Sequence, residues 1–339
     1  MGQDSVVRRW LVVLALTLAA CSGGGNGAES GPETPPPTST STSTSTTTTT
    51  ALPTTTTLAP LPAVDTGQVR AVQTSTGVVL PVVATVDANH WRVTTPCERD
   101  AVVTGTALRG ATIVLDPGHG ASETGAAGSN GLVEKDLNLA VATKTKADLE
   151  AQGATVVLTR TGDYNLTLKV RAQLALRLGA RAFVSIHHNG GADGPSTHPG
   201  TETYYQLASP DSKRLAGLLF EEERRFFEGF SGVQWYSNVD AGAKYRRSST
   251  GGDYYGILRN AAGVPAVISE ALFLSHSDTE AALLARPDVQ QGEADAIARG
   301  IRRFLLTSDP GSGFVEPIPR TTPAGPGGGV AGCVDPPLG

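Results

Sequence analysis

Four short apolar runs, at residues 113–115, 155–158, 183–186 and 266–269, constrain the fold of this chain more than any other feature. Each is too uniformly apolar to leave one face in water, and strands of that kind fill a sheet covered on both faces. Helical patterns lie between them. One occupies 211–227; in the last, Val289, Glu293, Ile297, Ile301, Phe304 and Leu305 fall near one face, with Glu293 its lone carboxylate. Ser277 and Glu280 form a capping box that starts a helix over 278–284. Strands alternating with helices predict an α/β fold, a single domain over 111–306 with a mostly buried mixed sheet flanked by helices. Residues 64–110, where "GVVLPVV" and "HWRVTTP" supply β-branched residues and turn formers, predict a short β-rich N-terminal addition of small strands or a hairpin.

The flanks lack this pattern. Val7, Arg8 and Arg9 precede an apolar run at 10–18. It is shorter than the roughly 20 residues that span a bilayer, so 1–20 reads as a signal peptide. The segment closes with Leu18, Ala19, Ala20 and Cys21, which resembles the bacterial lipobox. That predicts a lipidated Cys21 and a protein held on the outer face of the plasma membrane. Acyl chains contribute about 0.8 kcal/mol per buried methylene, so two or three of them anchor a protein without a membrane-spanning helix. From Thr34 to Val64 there is no charge, and nearly every residue is Thr, Ser, Pro, Ala or Leu. Such a segment does not offset its ordering entropy, and 21–63 reads as an extended tether. The Pro- and Gly-rich stretch 307–339 reads as an irregular tail. Cys97 and Cys333, a pair in an exported and oxidising setting, predict a disulfide, the other reading being two buried thiols. A formal net charge of -5 disfavours nucleic-acid phosphates as partners, and the chain is read as a monomer.

Candidate chemistry begins with "LDPGHG". Pro117 and Gly118 force a turn at a strand end and Gly120 permits close backbone approach, so His119 is displayed at the sheet edge, where ligand sites of α/β folds collect. The run "FVSIHHN" ends in His187 and His188, which alternation sends to opposite faces. In "PAVISEALF", Glu270 follows four residues of interior type, and a carboxylate there needs a cation, a metal or good donors. Glu134 opens the helical stretch "GLVEKDLNLAVA", whose Leu137, Ala140 and Val141 are expected to face the core. By itself Glu134 reads better as a carboxylate favoured by a helix N-terminus. Two histidines and a glutamate, with a second carboxylate to move a proton, make a sound catalytic zinc set. Spread over the sequence they form no local zinc signature, and the residues alone support only a metal hydrolase as one reading.

Taken in order, "IVLDPGHG", "GLVEKDLNLAVA", "TVVLTRTGD", "RAFVSIHHN" and "PAVISEALFLSHS" resemble the zinc-dependent N-acetylmuramoyl-L-alanine amidases, the Amidase_3 family of peptidoglycan hydrolases, over about residues 111–306. The resemblance implies Zn2+ held by His119, Glu134 and His187, with Glu270 as the catalytic carboxylate. It also implies peptidoglycan as substrate, cut at the amide between N-acetylmuramic acid and L-alanine. His188 stands where the family usually has a small residue and reads as supporting the ligands, facing substrate or simply exposed. Arg246 and Arg247 lie in the loop "YSNVDAGAKYRRSSTGGDYYG" and are candidates to pair with a stem-peptide carboxylate, against the reading of a solvated loop. His276, just after the Glu270 strand, is a candidate lining residue. The alternatives are a cell-wall zinc peptidase and a lipid-anchored wall-binding or activator protein without activity.

Overall fold

The apolar runs become four adjacent strands of a six-stranded sheet, three inner and one at its edge. In chain order the elements are β1 (Ala71–Gln73), β2 (Val79–Thr85), β3 (Trp91–Thr94), β4 (Asp100–Val103), β5 (Thr106–Leu108), β6 (Ile113–Pro117), α1 (Glu134–Glu150), β7 (Val156–Leu158), α2 (Leu168–Arg177), β8 (Ala182–Asn189), β9 (Glu202–Tyr205), α3 (Pro210–Phe227), β10 (Gly242–Lys244), α4 (Gly256–Asn260), β11 (Ala266–Phe273), α5 (Asp278–Leu284) and α6 (Pro287–Leu306). This computed structural model describes residues 59–190, 200–230, 241–275, 278–317 and 328–339. The segment expected to be a signal peptide, Cys21, most of the expected tether, His276 and Ser277 lie outside them. Among the described residues, no helix is long and apolar enough to cross a membrane.

The large sheet runs β10-β9-β11-β8-β6-β7. Strands β7, β6, β8 and β11 are mutually parallel, and β9 pairs antiparallel with β11. One face packs against α1, α3, α5 and α6 through Ile113, Leu115, Val184, Ile186, Leu219 and Ile297. The other packs against α2, α4 and the N-terminal strands through Val114, Phe183, Ile268, Leu174, Ile257 and Leu80. Burial on both faces explains why these strands carry unbroken apolar runs.

The N-terminal addition is larger than a hairpin. Five antiparallel strands, in the order β4-β3-β2-β1-β5, form a second sheet. Four of these strands have only three or four residues, too few alternations to be counted in a sequence; β2 has seven. Yet Val72, Leu80, Val93 and Val103 are each buried in the core shared with α2. The tail beyond Gly328 has no helix or strand but is tied down. A disulfide joins Cys97 to Cys333 (S–S 2.03 Å), and Asp335 accepts from Cys97 N at 2.8 Å and Thr95 Oγ1 at 2.9 Å.

Two helix positions depart from the expected pattern. On α1, Leu137 and Val141 are buried as expected, but the buried set includes Asn138 where Ala140 was expected. On α6, the lone carboxylate Glu293 is wholly buried. Each has a polar partner inside: His188 reaches Asn138 with one ring nitrogen and Glu293 with the other.

Candidate active site

Register assembles the site. His187 on β8 pairs with Glu270 on β11, and Glu270 pairs with Glu202 on β9. One row back, Pro117 of β6 pairs with Ile186. The turn carrying His119 therefore leaves the sheet beside His187, at the C-terminal ends of β6, β8 and β11 where such sheets bind ligands. Glu134 arrives from the first turn of α1. The ligand atoms of His119, Glu134 and His187 all lie within 4.8 Å of one another. Glu134 Oε1 is 3.1 Å from His119 Nε2 and 3.0 Å from His187 Nδ1.

The backbone makes room for this meeting. A Cβ on Gly118 would lie 2.1 Å from the His187 ring, and one on Gly125 would lie 2.3 Å from Glu134 Oε2. His119 itself holds φ +63°, a left-handed conformation costly for a side chain of its size. Two buried arginines hold the turn in place. Arg171 donates to Pro117 O at 2.8 Å and His119 O at 2.7 Å. Arg160 donates to Pro117 O and Gly118 O, both at 2.9 Å. Asp116 is the counter-charge of Arg171, accepting from it at 2.8 Å, and also accepts from Thr159 Oγ1 at 2.5 Å and Ser185 Oγ at 2.7 Å. None of these three charged residues is among the candidates that the sequence singles out. Their signal was present: Asp116 directly follows an interior run, a place where a carboxylate needs buried partners.

Glu134 does not spend its carboxylate on the N-terminus of its own helix. Oε2 accepts from Ala126 N at 2.7 Å, and Oε1 accepts from His188 N at 3.2 Å and Asn138 Nδ2 at 3.3 Å. Burial opposes its charge, but His119 and His187 beside it hold its carboxyl well below the usual range. Burial likewise lowers His119, yet Glu123 and Glu134 outweigh it and raise that imidazole to about 9. Burial lowers His187.

Glu270 stands in the opposite setting. Its Oε2 is sealed from solvent and has no hydrogen-bond partner among the described residues. Burial first, then the charges of Glu134 and Glu202, push its carboxyl well above the usual range. Glu202, by contrast, is paired with Lys244 at 2.7 Å and accepts from Asn189 and the Tyr204 hydroxyl. A carboxyl with one sealed, donorless oxygen beside two imidazoles and a carboxylate is what a cationic centre would satisfy. A two-nitrogen, one-oxygen donor set suits a divalent zinc-like ion that keeps an open position.

The remaining candidates lie elsewhere. His188 is fully buried on the far face of β8, between Asn138 and Glu293, so its side chain does not face substrate and is not exposed. Strand alternation put it there. Arg246 lies over the Tyr254 ring, 3.5 Å from its centroid, and Arg247 donates to Gly251 O at 2.9 Å. Arg246 also reaches Tyr255, whose hydroxyl is raised to about 12 by burial and by nearby Glu270.

Residues 113–303 match the Amidase_3 family model, described as N-acetylmuramoyl-L-alanine amidase. The chain is 36% identical over 199 residues to the uncharacterized protein YqiI of Bacillus subtilis, spanning 58% of this chain and 86% of that one. It is 31% identical over 213 residues to the germination-specific N-acetylmuramoyl-L-alanine amidase of Bacillus subtilis, spanning 58% and 81%. Among solved structures, the N-acetylmuramoyl-L-alanine amidase from Clostridium difficile 630 superposes with a TM-score of 0.50 at 29% identity, covering 59% of this chain and 98% of that chain.

Proposed function

The chain belongs to the Amidase_3 family, the N-acetylmuramoyl-L-alanine amidases, and on that premise we propose that it is a zinc-dependent peptidoglycan amidase with a lipid anchor. The observation that carries the metal reading is the convergence of His119, Glu134 and His187 beside Glu270, whose Oε2 has no hydrogen-bond partner among the described residues. The three would hold zinc, with Glu270 as the proton carrier. Zinc bound there supplies Lewis acidity to a carbonyl oxygen and lowers the pKa of a water toward about 7.

Glu270 takes a proton from the water that attacks the lactyl carbonyl carbon of N-acetylmuramic acid. As the C–N bond breaks, Glu270 passes that proton to the departing L-alanine nitrogen. No covalent bond between substrate and chain is needed. Arg160, Arg171 and Asp116 keep the His119 turn rigid throughout, so the ligands need no rearrangement to act.

The deciding experiment joins metal analysis of the purified chain to product identification on isolated sacculi. Amidase action releases stem peptides that begin with free L-alanine and carry no sugar. Cleavage inside the stem peptide would identify a peptidase; wall binding without release would identify a wall-binding or activator protein. Arg246 remains a candidate contact for a stem-peptide carboxylate. For the anchor, a globomycin-type inhibitor should cause the precursor with intact Cys21 to accumulate, and normal processing would exclude lipidation.

A further inference from the structure

Two fully buried groups have no part in the roles assigned above: His188 on β8 and Glu293 on α6. Both lie on the sheet face opposite the site, in the layer built by α1 and α6. Burying an imidazole and a carboxylate in such a layer is costly unless each meets a good partner.

Their contacts form a chain that leads to a candidate ligand. His188 Nε2 lies 3.1 Å from Glu293 Oε1 and 3.2 Å from Oε2. His188 Nδ1 lies 2.8 Å from Asn138 Oδ1. Asn138 Nδ2 then donates to Glu134 Oε1 and to Gly118 O, each at 3.3 Å. Both neighbours of Nδ2 are acceptors, which fixes the amide orientation; Oδ1 must therefore face His188, and Nδ1 must be the donor. Glu293, by engaging Nε2, holds the ring in the rotamer that presents Nδ1 to Asn138.

We propose that His188 and Glu293 are positioning residues: acting through Asn138, they fix the orientation in which Glu134 joins His119 and His187 around a metal. The inference rests on the metal reading given above. Partners bonded directly to a metal ligand typically account for about 10–100-fold in metal affinity; Asn138 is such a partner of Glu134, and His188 and Glu293 act through it.

The test compares the purified parent chain with the double variant His188→Ala/Glu293→Leu, which removes both groups and leaves no orphaned charge. Zinc affinity is read by competition with a chromophoric chelator, and ligand geometry by the absorption bands of Co2+ bound in place of zinc. The double variant should lose about 10–100-fold in zinc affinity and shift the cobalt bands. Glu293→Gln, which keeps a hydrogen bond to Nε2, should stay within about threefold of the parent and keep its spectrum. Parental affinity and spectrum in the double variant would overturn the inference. Should that variant fail to fold, Glu293→Met against Glu293→Gln decides: a cobalt shift and affinity loss confined to Met support it, and equal behaviour overturns it. A parent chain that takes up no metal would overturn the metal reading itself, a result distinct from variants that bind as well as a metal-binding parent.

Discussion

Glu134 and Glu270 are the same residue type, both set at the end of the large sheet, and their surroundings drive them apart. Glu134 has backbone donors at Ala126 and His188, the amide of Asn138 and two imidazoles, and its carboxyl is held far down. Glu270 has an oxygen with no donor and neighbouring negative charge, and its carboxyl is pushed far up. A pair of titrating groups separated in this way marks which one stays charged to bind and which one exchanges protons. The difference is a matter of neighbours alone, so changing neighbours is how to test it.

The largest effect is expected from His119→Ala, which removes a ligand and should abolish both zinc retention and turnover; a metal-replete, active variant would break the assignment. Glu270→Gln should keep its zinc and lose roughly 10³-fold in kcat, and loss of metal there would mean that Glu270 binds rather than shuttles. Arg171→Met leaves buried Asp116 without its main counter-charge and should cost about 3–5 kcal/mol in denaturant unfolding, weakening zinc binding along with it. A smaller, graded effect comes from pH. His119 is raised to about 9, so its protonated form is the favoured one, and a metal must displace that proton. Zinc affinity should therefore fall as pH drops from about 9, by about tenfold per unit while one proton is displaced; calorimetry in buffers of different ionisation enthalpy counts the protons. The smallest effect is expected at Arg246→Ala, a change of about threefold in KM with kcat intact, in keeping with a partly exposed rim charge.

The sequence shows the inner strands because burial on both faces removes polar residues from them, and it shows Glu270 because a carboxylate interrupts such a run. His119 is visible through its turn. The convergence of the three ligands is not visible, since His119, Glu134 and His187 meet through register and helix placement, and only the likeness to a family joined them in advance. In the five-stranded addition only β2 is long enough to show a period, and the other four strands are too short. Glu202 and Lys244 lie in a stretch without a clean apolar run, and nothing local announces that they pair in the interior. His188 illustrates the reverse case: alternation correctly sent it away from His187, but its partner on α6, 105 positions later, could not be named without coordinates.

Because His187, Glu270 and Glu202 occupy one row across three strands, hydrolysis by this enzyme doubles as a gauge of strand alignment. A one-residue slip of β11 would turn Glu270 to the side packed by α1, α3, α5 and α6 and bring Ser269 or Ala271 into its place. Misaligned molecules would be silent however native their helical content looked, so specific activity per mole of folded chain would expose frame errors that circular dichroism misses.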